Sequence, residues 1–95
     1  MNYVALRSFL KKFDSYSAQE QGIITQTVDE IKRYIETNRA PYGLRIKRLA
    51  SWLYEGRIGL HLRIAYYRDR EMVKFFCVGN HDDIRRCLKQ IGRSL

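Results

Sequence analysis

With 95 residues the chain has room for one compact hydrophobic core and none to spare for a linker and a second folded unit. A hydrophobic fraction of 45% with a single proline excludes a disordered chain, because that much apolar surface can offset the entropy of folding. Eighteen Lys and Arg against ten Asp and Glu leave a net charge of +8, which points to a polyanionic partner if the cations are concentrated and to simple solubility if they are scattered.

Tyr3 to Leu6 reads as a short strand, and Phe9, Leu10 and Phe13 follow at helical spacing with Lys11 and Lys12 outside them. Ser17 and Glu20 form a capping-box pattern ahead of Ile24, Val28, Ile31 and Ile35, so a second helix starts there and ends before Pro41, which disfavours helical geometry at Ala40. From Leu44 the periodicity changes. Leu44 to Leu49, Trp52 to Ile58, Leu60 to Arg68 and Met72 to Val78 are rich in branched and aromatic residues, with Gly56, Gly59 and Asp69-Arg70 at the bends. Connections this short predict an antiparallel meander. Asn80 can cap a final helix with Asp82 and Asp83 in its first turn and Ile84, Cys87, Leu88 and Ile91 as its buried stripe. The expected class is α+β, one domain over residues 1–95. Two N-terminal helices pack on one face of a four-stranded, largely antiparallel sheet, to which the N-terminal segment can add a short strand, and a short C-terminal helix packs at the end of the sheet.

No run approaches the roughly 18 apolar residues of a membrane span, and Met1-Asn2-Tyr3-Val4 lacks the charged-then-apolar order of a signal peptide, so a cytoplasmic protein without membrane contact is expected. Cys77 and Cys87 lack a CxxC or Cys/His spacing. Two reduced, packed thiols are expected, rather than a disulfide or a metal site.

Alternation along the strands sends Ile58, Leu62, Ile64 and Tyr66 toward the helices and Arg57, His61, Arg63 and Tyr67 the other way. If Ile46 points into the core, Arg45 and Lys47 join that cationic and aromatic face. Arginine presents a planar fork of donors suited to phosphate and tyrosine a ring on which a splayed base can stack, so single-stranded RNA fits the face better than duplex DNA. Arg45 and Lys47 taken singly have an equally good reading as solvated strand cations, and Tyr67 as a packing residue. His81 follows the glycine-containing exit of the last strand and opens the last helix, where free amides converge on an anion and an imidazole can exchange a proton, or where it simply completes the cap. RNA cleavage without a metal needs few groups. Its own 2′-hydroxyl attacks the neighbouring phosphorus while the protein removes one proton, supplies another and stabilises the phosphate. Arg57 and Arg63 suit the phosphate, Lys47 adds electrostatic help, and His81 suits acid or base work. No P-loop, HExxH or nucleophile elbow competes, and no metal or other cofactor is expected.

The runs Leu60-His61-Leu62-Arg63-Ile64-Ala65-Tyr66 and Phe75-Phe76-Cys77-Val78-Gly79-Asn80-His81-Asp82-Asp83, preceded by Trp52-Leu53-Tyr54-Glu55-Gly56-Arg57-Ile58, resemble the RelE/ParE toxin superfamily over almost the whole chain. The resemblance implies a RelE-like toxin of a type II toxin–antitoxin system: a ribosome-dependent endoribonuclease that cleaves mRNA by metal-independent 2′-hydroxyl attack and is restrained by a cognate antitoxin. By position it makes Arg63 the phosphate-binding arginine, His81 the histidine found after the last strand in some ribonuclease members, and Arg57 a basic residue of the middle strand. Arg45, Lys47, His61, Tyr67 and Arg85 are the expected RNA contacts. Members with an arginine and tyrosine together in the final segment differ from this chain, which has Ile84, Arg85 and Arg86 there. ParE-like relatives share the fold and inhibit DNA gyrase, and a noncatalytic RNA-binding module is the third reading.

Overall fold

A computed structural model of the chain describes residues 1–59 and 61–94, the side chains of 58 and 91–94 excepted. Leu60, expected to open a strand, and the side chains of Ile58 and Ile91, expected to be buried, lie outside the described residues. The elements run β1 (Asn2–Ala5), α1 (Arg7–Asp14), α2 (Ala18–Thr37), β2 (Leu44–Ala50), β3 (Leu53–Ile58), β4 (Leu62–Arg68), β5 (Met72–Gly79) and α3 (His81–Ser94). The strands form one sheet in the order β1-β5-β4-β3-β2, antiparallel except where β1 lies parallel beside β5. The α+β class, the meander and the extra N-terminal strand are those expected from the sequence.

Local chemistry sets the ends of α2. The Ser17 hydroxyl accepts from the Glu20 amide while the Glu20 carboxylate accepts from the Ser17 amide, so two donors at the helix start are satisfied reciprocally. At the other end Asn38 takes a left-handed conformation, φ 58°, and its N–H donates to the Tyr34 carbonyl; asparagine is among the few residues that tolerate this geometry. In α1, Phe9 is buried and Phe13 half-buried, but Leu10 is exposed, because a two-turn helix turns only one narrow stripe inward.

The main core lies between the two leading helices and the sheet, where Phe9, Ile24, Ile31 and Ile35 meet Ile64, Tyr66, Val73 and Phe75. α2 approaches β3 closely at Gly56, where a Cβ would stand 2.7 Å from Ile31 Cδ1. On the opposite face Ile84 of α3 packs on Leu53, Ala65, Phe76 and Cys77. α3 therefore covers part of the second face rather than merely closing the end of the sheet. A bulge makes this possible. Ala65 pairs with Cys77 but Tyr66 pairs with Phe75, which leaves Phe76 as an extra residue and turns both Phe76 and Cys77 toward α3.

The same bulge overturns the expectation of two reduced thiols. Cys77 and Cys87 are joined by a disulfide, with their Cα atoms 6.4 Å apart. Cys77 points up from the sheet and Cys87 shares the inner stripe of α3 with Ile84 and Leu88, so the two sulfurs meet under the helix. Spacing in sequence carried no sign of this, because the pairing depends on which side of the sheet the bulged strand presents.

Candidate nucleic-acid interface

Register assembles the site. Arg45 on β2 pairs with Arg57 on β3, Arg57 with Arg63 on β4, and Arg63 with Gly79 on β5, so three arginines stand in one row across three strands. At a strand spacing near 5 Å the row is roughly 10 Å wide at the backbone. The neighbouring row on the same face is Lys47, Glu55, Ala65 and Cys77. Arg45, Lys47, Glu55, Arg57 and Arg63, with Ile46 beside them, line a cavity of about 260 Å³. Four cations here face one carboxylate.

That carboxylate, Glu55, is 6% exposed and accepts from Arg63 NH1 at 3.2 Å. Burial is tolerable for Glu55 because its charge is paired and hydrogen-bonded. The side chains of Arg45, Lys47 and Arg57 have no hydrogen-bonding or ion-pair partner among the described residues, and Arg63 Nε is buried without an acceptor. Such a set of donors has the chemistry that an anion such as a phosphate calls for.

His81 is placed by the start of α3. The Asn80 N–H donates to Asp83 Oδ2 at 3.0 Å and the Asp83 N–H donates to Asn80 Oδ1 at 2.9 Å, a reciprocal cap that fixes the turn leaving β5. Gly79 is required there, since a Cβ would run into the Asp83 side chain. The Asn80 amide, chiefly, with Arg86 and Lys12 nearby, holds the Asp83 carboxyl below the usual carboxylate range. From this turn the His81 ring reaches back over the sheet, and Arg63 NH1 donates to its Nδ1 at 3.0 Å. A guanidinium only donates, so the contact fits a neutral imidazole with its proton on Nε2.

The structure thus brings together Arg45, Lys47, Arg57, Arg63 and His81 among the residues singled out from the sequence. It places the others apart from them. His61 sits exposed in the turn ahead of β4, which starts at Leu62, so it does not occupy the strand position expected of it. Arg85 is exposed on α3, one helical turn beyond His81, and does not line the cavity of the arginine row. Tyr67 does lie on the second face, but its ring is flanked by Phe76 at 4.5 Å and Trp52 at 4.7 Å, and burial pushes its hydroxyl pKa up. Glu55 was missed in the sequence, where it reads as one charged residue of a strand. Its signal is the alternation Leu53, Glu55, Arg57, which puts a carboxylate on the cationic face.

No protein-family model matches the chain, and no curated protein matches it in sequence. The fold is shared with a chain in the crystal structure of a RelB–RelE antitoxin–toxin complex from Methanococcus jannaschii, with a TM-score of 0.62 and 18% identity over 87% of this chain and 95% of that one. The chain has a RelE-like fold. Among the described residues no helix is long and apolar enough to cross a membrane.

Proposed function

We propose that this chain is a cytoplasmic RelE-like toxin, an endoribonuclease that cleaves mRNA on the ribosome by metal-independent 2′-hydroxyl attack and is held in check by a cognate antitoxin. The observation that carries the reading is the row Arg45–Arg57–Arg63 with both Glu55 and His81 attached to the same Arg63 nitrogen. A phosphodiester seated on that row finds charge to offset its own, and a buried Nε–H of Arg63 still free to donate. Arg57 and Arg63 then stabilise the pentacoordinate phosphate, with Lys47 beside them.

Proton transfer follows from what Arg63 holds. When its NH1 turns to the phosphate, the Glu55 carboxylate regains a lone pair for the 2′-hydroxyl proton, and Nδ1 of the exposed His81 is released so that the ring can take a second proton from solvent. The O2′–P bond forms as the P–O5′ bond breaks, and His81 Nε2–H delivers its proton to the departing 5′-oxygen. The RelE-like fold supports a toxin role, and the neighbour's assembly with an antitoxin supports a protein partner for this chain. An acidic segment laid over the arginine row would compete with RNA for the same donors.

The test is mRNA cleavage in a purified translation system, with EDTA controls on an isolated RNA, comparing wild type with Arg63→Ala and His81→Ala. Cleavage at ribosome-occupied codons that both substitutions abolish is the expected result. Intact mRNA with wild-type protein would overturn it and move the assignment to gyrase inhibition or to RNA binding without cleavage.

A further inference from the structure

We infer that Trp52 is a base-stacking subsite, and that RNA bound at the arginine row runs along the outer face of β2 and β3 to reach it; this rests on the RNA reading above. Three rings make a series across the second face of the sheet. Phe76 is 3% exposed, Tyr67 is half-buried against it at 4.5 Å, and Trp52, 37% exposed, caps Tyr67 at 4.7 Å. The series runs outward from the core and ends on an indole that meets solvent. Another flat ring would continue it.

The turn that carries the indole is held in place, since the Arg68 N–H donates to the Trp52 carbonyl at 2.9 Å. Cations flank it. Arg68 and Arg70 line the cleft beside Trp52 at the end of the sheet, Arg68 from the helix-bearing side on which its cross-strand partner Val73 lies, and neither side chain has a hydrogen-bonding or ion-pair partner among the described residues. The carboxylate in that cleft, Asp69, is engaged by the amides of Glu71 and Met72. Between the arginine row and Trp52 the face offers Leu49 and Leu53 with Lys47, and the carboxylate there, Glu55, is already tied to Arg63. Five residue steps of extended chain lead from Trp52 to Arg57, roughly 17 Å. An arginine row at one end, Leu49 and Leu53 along the way, and an open indole flanked by Arg68 and Arg70 at the end of the sheet match a single strand of several nucleotides, whose phosphates need charge and whose bases need a ring.

The chain contains a single tryptophan, so its fluorescence reports this position alone. The probes are 2′-O-methyl RNA oligomers, which cannot be cut because the attacking hydroxyl is blocked, titrated at low salt as a dinucleotide, a tetranucleotide and a hexanucleotide. The expected result is that the dinucleotide binds without changing the indole emission while the longer oligomers quench it. Trp52→Ala weakens hexanucleotide binding roughly 5- to 150-fold and leaves the dinucleotide unaffected, and Trp52→Phe retains most of the longer oligomer's affinity. Circular dichroism of each variant checks that the fold is kept. Hexanucleotide binding that is weakened by Arg63→Ala but neither quenches the indole nor responds to Trp52→Ala would overturn this inference and leave the RNA reading standing. If no oligomer binds, both fall.

Discussion

Arg63 on β4 and His81 at the first position of α3 are joined by a 3.0 Å hydrogen bond from guanidinium NH1 to imidazole Nδ1. The same nitrogen lies 3.2 Å from Glu55 Oε1, so one donor group restrains both groups able to carry a proton. In the proposed reaction, removing it would disturb charge stabilisation and proton transfer together. Arg63→Ala is expected to lower the rate of mRNA cleavage by about 10²–10³-fold or more, the scale of losing a transition-state donor. Arg63→Lys should recover little, because an ammonium lacks the planar fork that reaches two acceptors. Single-turnover cleavage rates of the two variants check this, and near-complete rescue by lysine would show that only the positive charge matters.

Glu55 is buried against the Arg63 guanidinium, which makes the pair a stability element as well as a site element. Glu55→Ala leaves Arg63 half-desolvated beside three other cations and is expected to cost about 1.5–3 kcal/mol in urea unfolding. A double-mutant cycle with Arg63→Ala should return a favourable coupling of about 0.5–3 kcal/mol. Strict additivity would mean that the two side chains do not interact in solution.

The elements were legible in the sequence because each rests on local chemistry: the Ser17/Glu20 box, the stripe of α2, the branched and aromatic runs of the meander, and the Asn80 cap. The arginine row was legible too, since alternation puts Arg57 and Arg63 on one face and Arg45 follows once Ile46 faces the core. What escaped depends on geometry between distant segments. The bulge at Phe76 decides that Cys77 meets Cys87, and a residue count cannot reveal a bulge. His61 looked like a strand residue because Leu62 to Arg68 alternates so cleanly that the pattern extends backward into a turn. Glu55 needed its cross-strand partners to be known before its charge acquired a role.

Acid sensitivity should have a component from the start of α3. The Asn80 amide, with Arg86 and Lys12, lowers the folded-state pKa of Asp83. A lowered folded pKa contributes stability above the unfolded carboxylate range, near 3.9, and that contribution is lost as pH falls through the folded value. Asp83→Asn keeps an acceptor for Asn80 but not the charge, so its stability should fall less steeply on acidification than that of wild type. Asp83→Ala removes the acceptor as well and should cost about 1 kcal/mol near neutral pH. Urea unfolding over an acid pH series decides, and parallel curves for wild type and Asp83→Asn would count against the ion pairing.

Packing makes a separate prediction at Gly56. A Cβ there would be 2.7 Å from Ile31 Cδ1 and 3.0 Å from Cγ1, so Gly56→Ala should destabilise by about 1–3 kcal/mol. Ile31→Val deletes the Cδ1 atom, at about 0.5–1.5 kcal/mol on its own. Combined, the two changes should cost less than their sum. If they add, the loss in Gly56→Ala lies in the backbone rather than in the helix–sheet contact.

The Cys77–Cys87 bond closes a short loop, ten residues apart in sequence, from β5 into the middle of α3. Chain-entropy arguments put the stabilisation from a loop of that size at about 2–3 kcal/mol. Reducing cytosol would open the bond, leaving α3 held by Ile84, Leu88 and the Asn80–Asp83 cap. Cys77 Sγ is 3.8 Å from the Asp83 carbonyl oxygen, so the reduced thiol has an acceptor at hand and the core keeps its packing. A dithiol reductant should therefore lower the stability of wild type by about that amount without changing the fold, and should leave a Cys77→Ser/Cys87→Ser variant unaffected. Hydrogen exchange should quicken in α3 more than in β4 or β5, because the helix alone loses a covalent anchor to the sheet. Equal unfolding curves with and without reductant would show that the pair is not bonded in solution, and α3 would then owe its position to the cap and the apolar stripe.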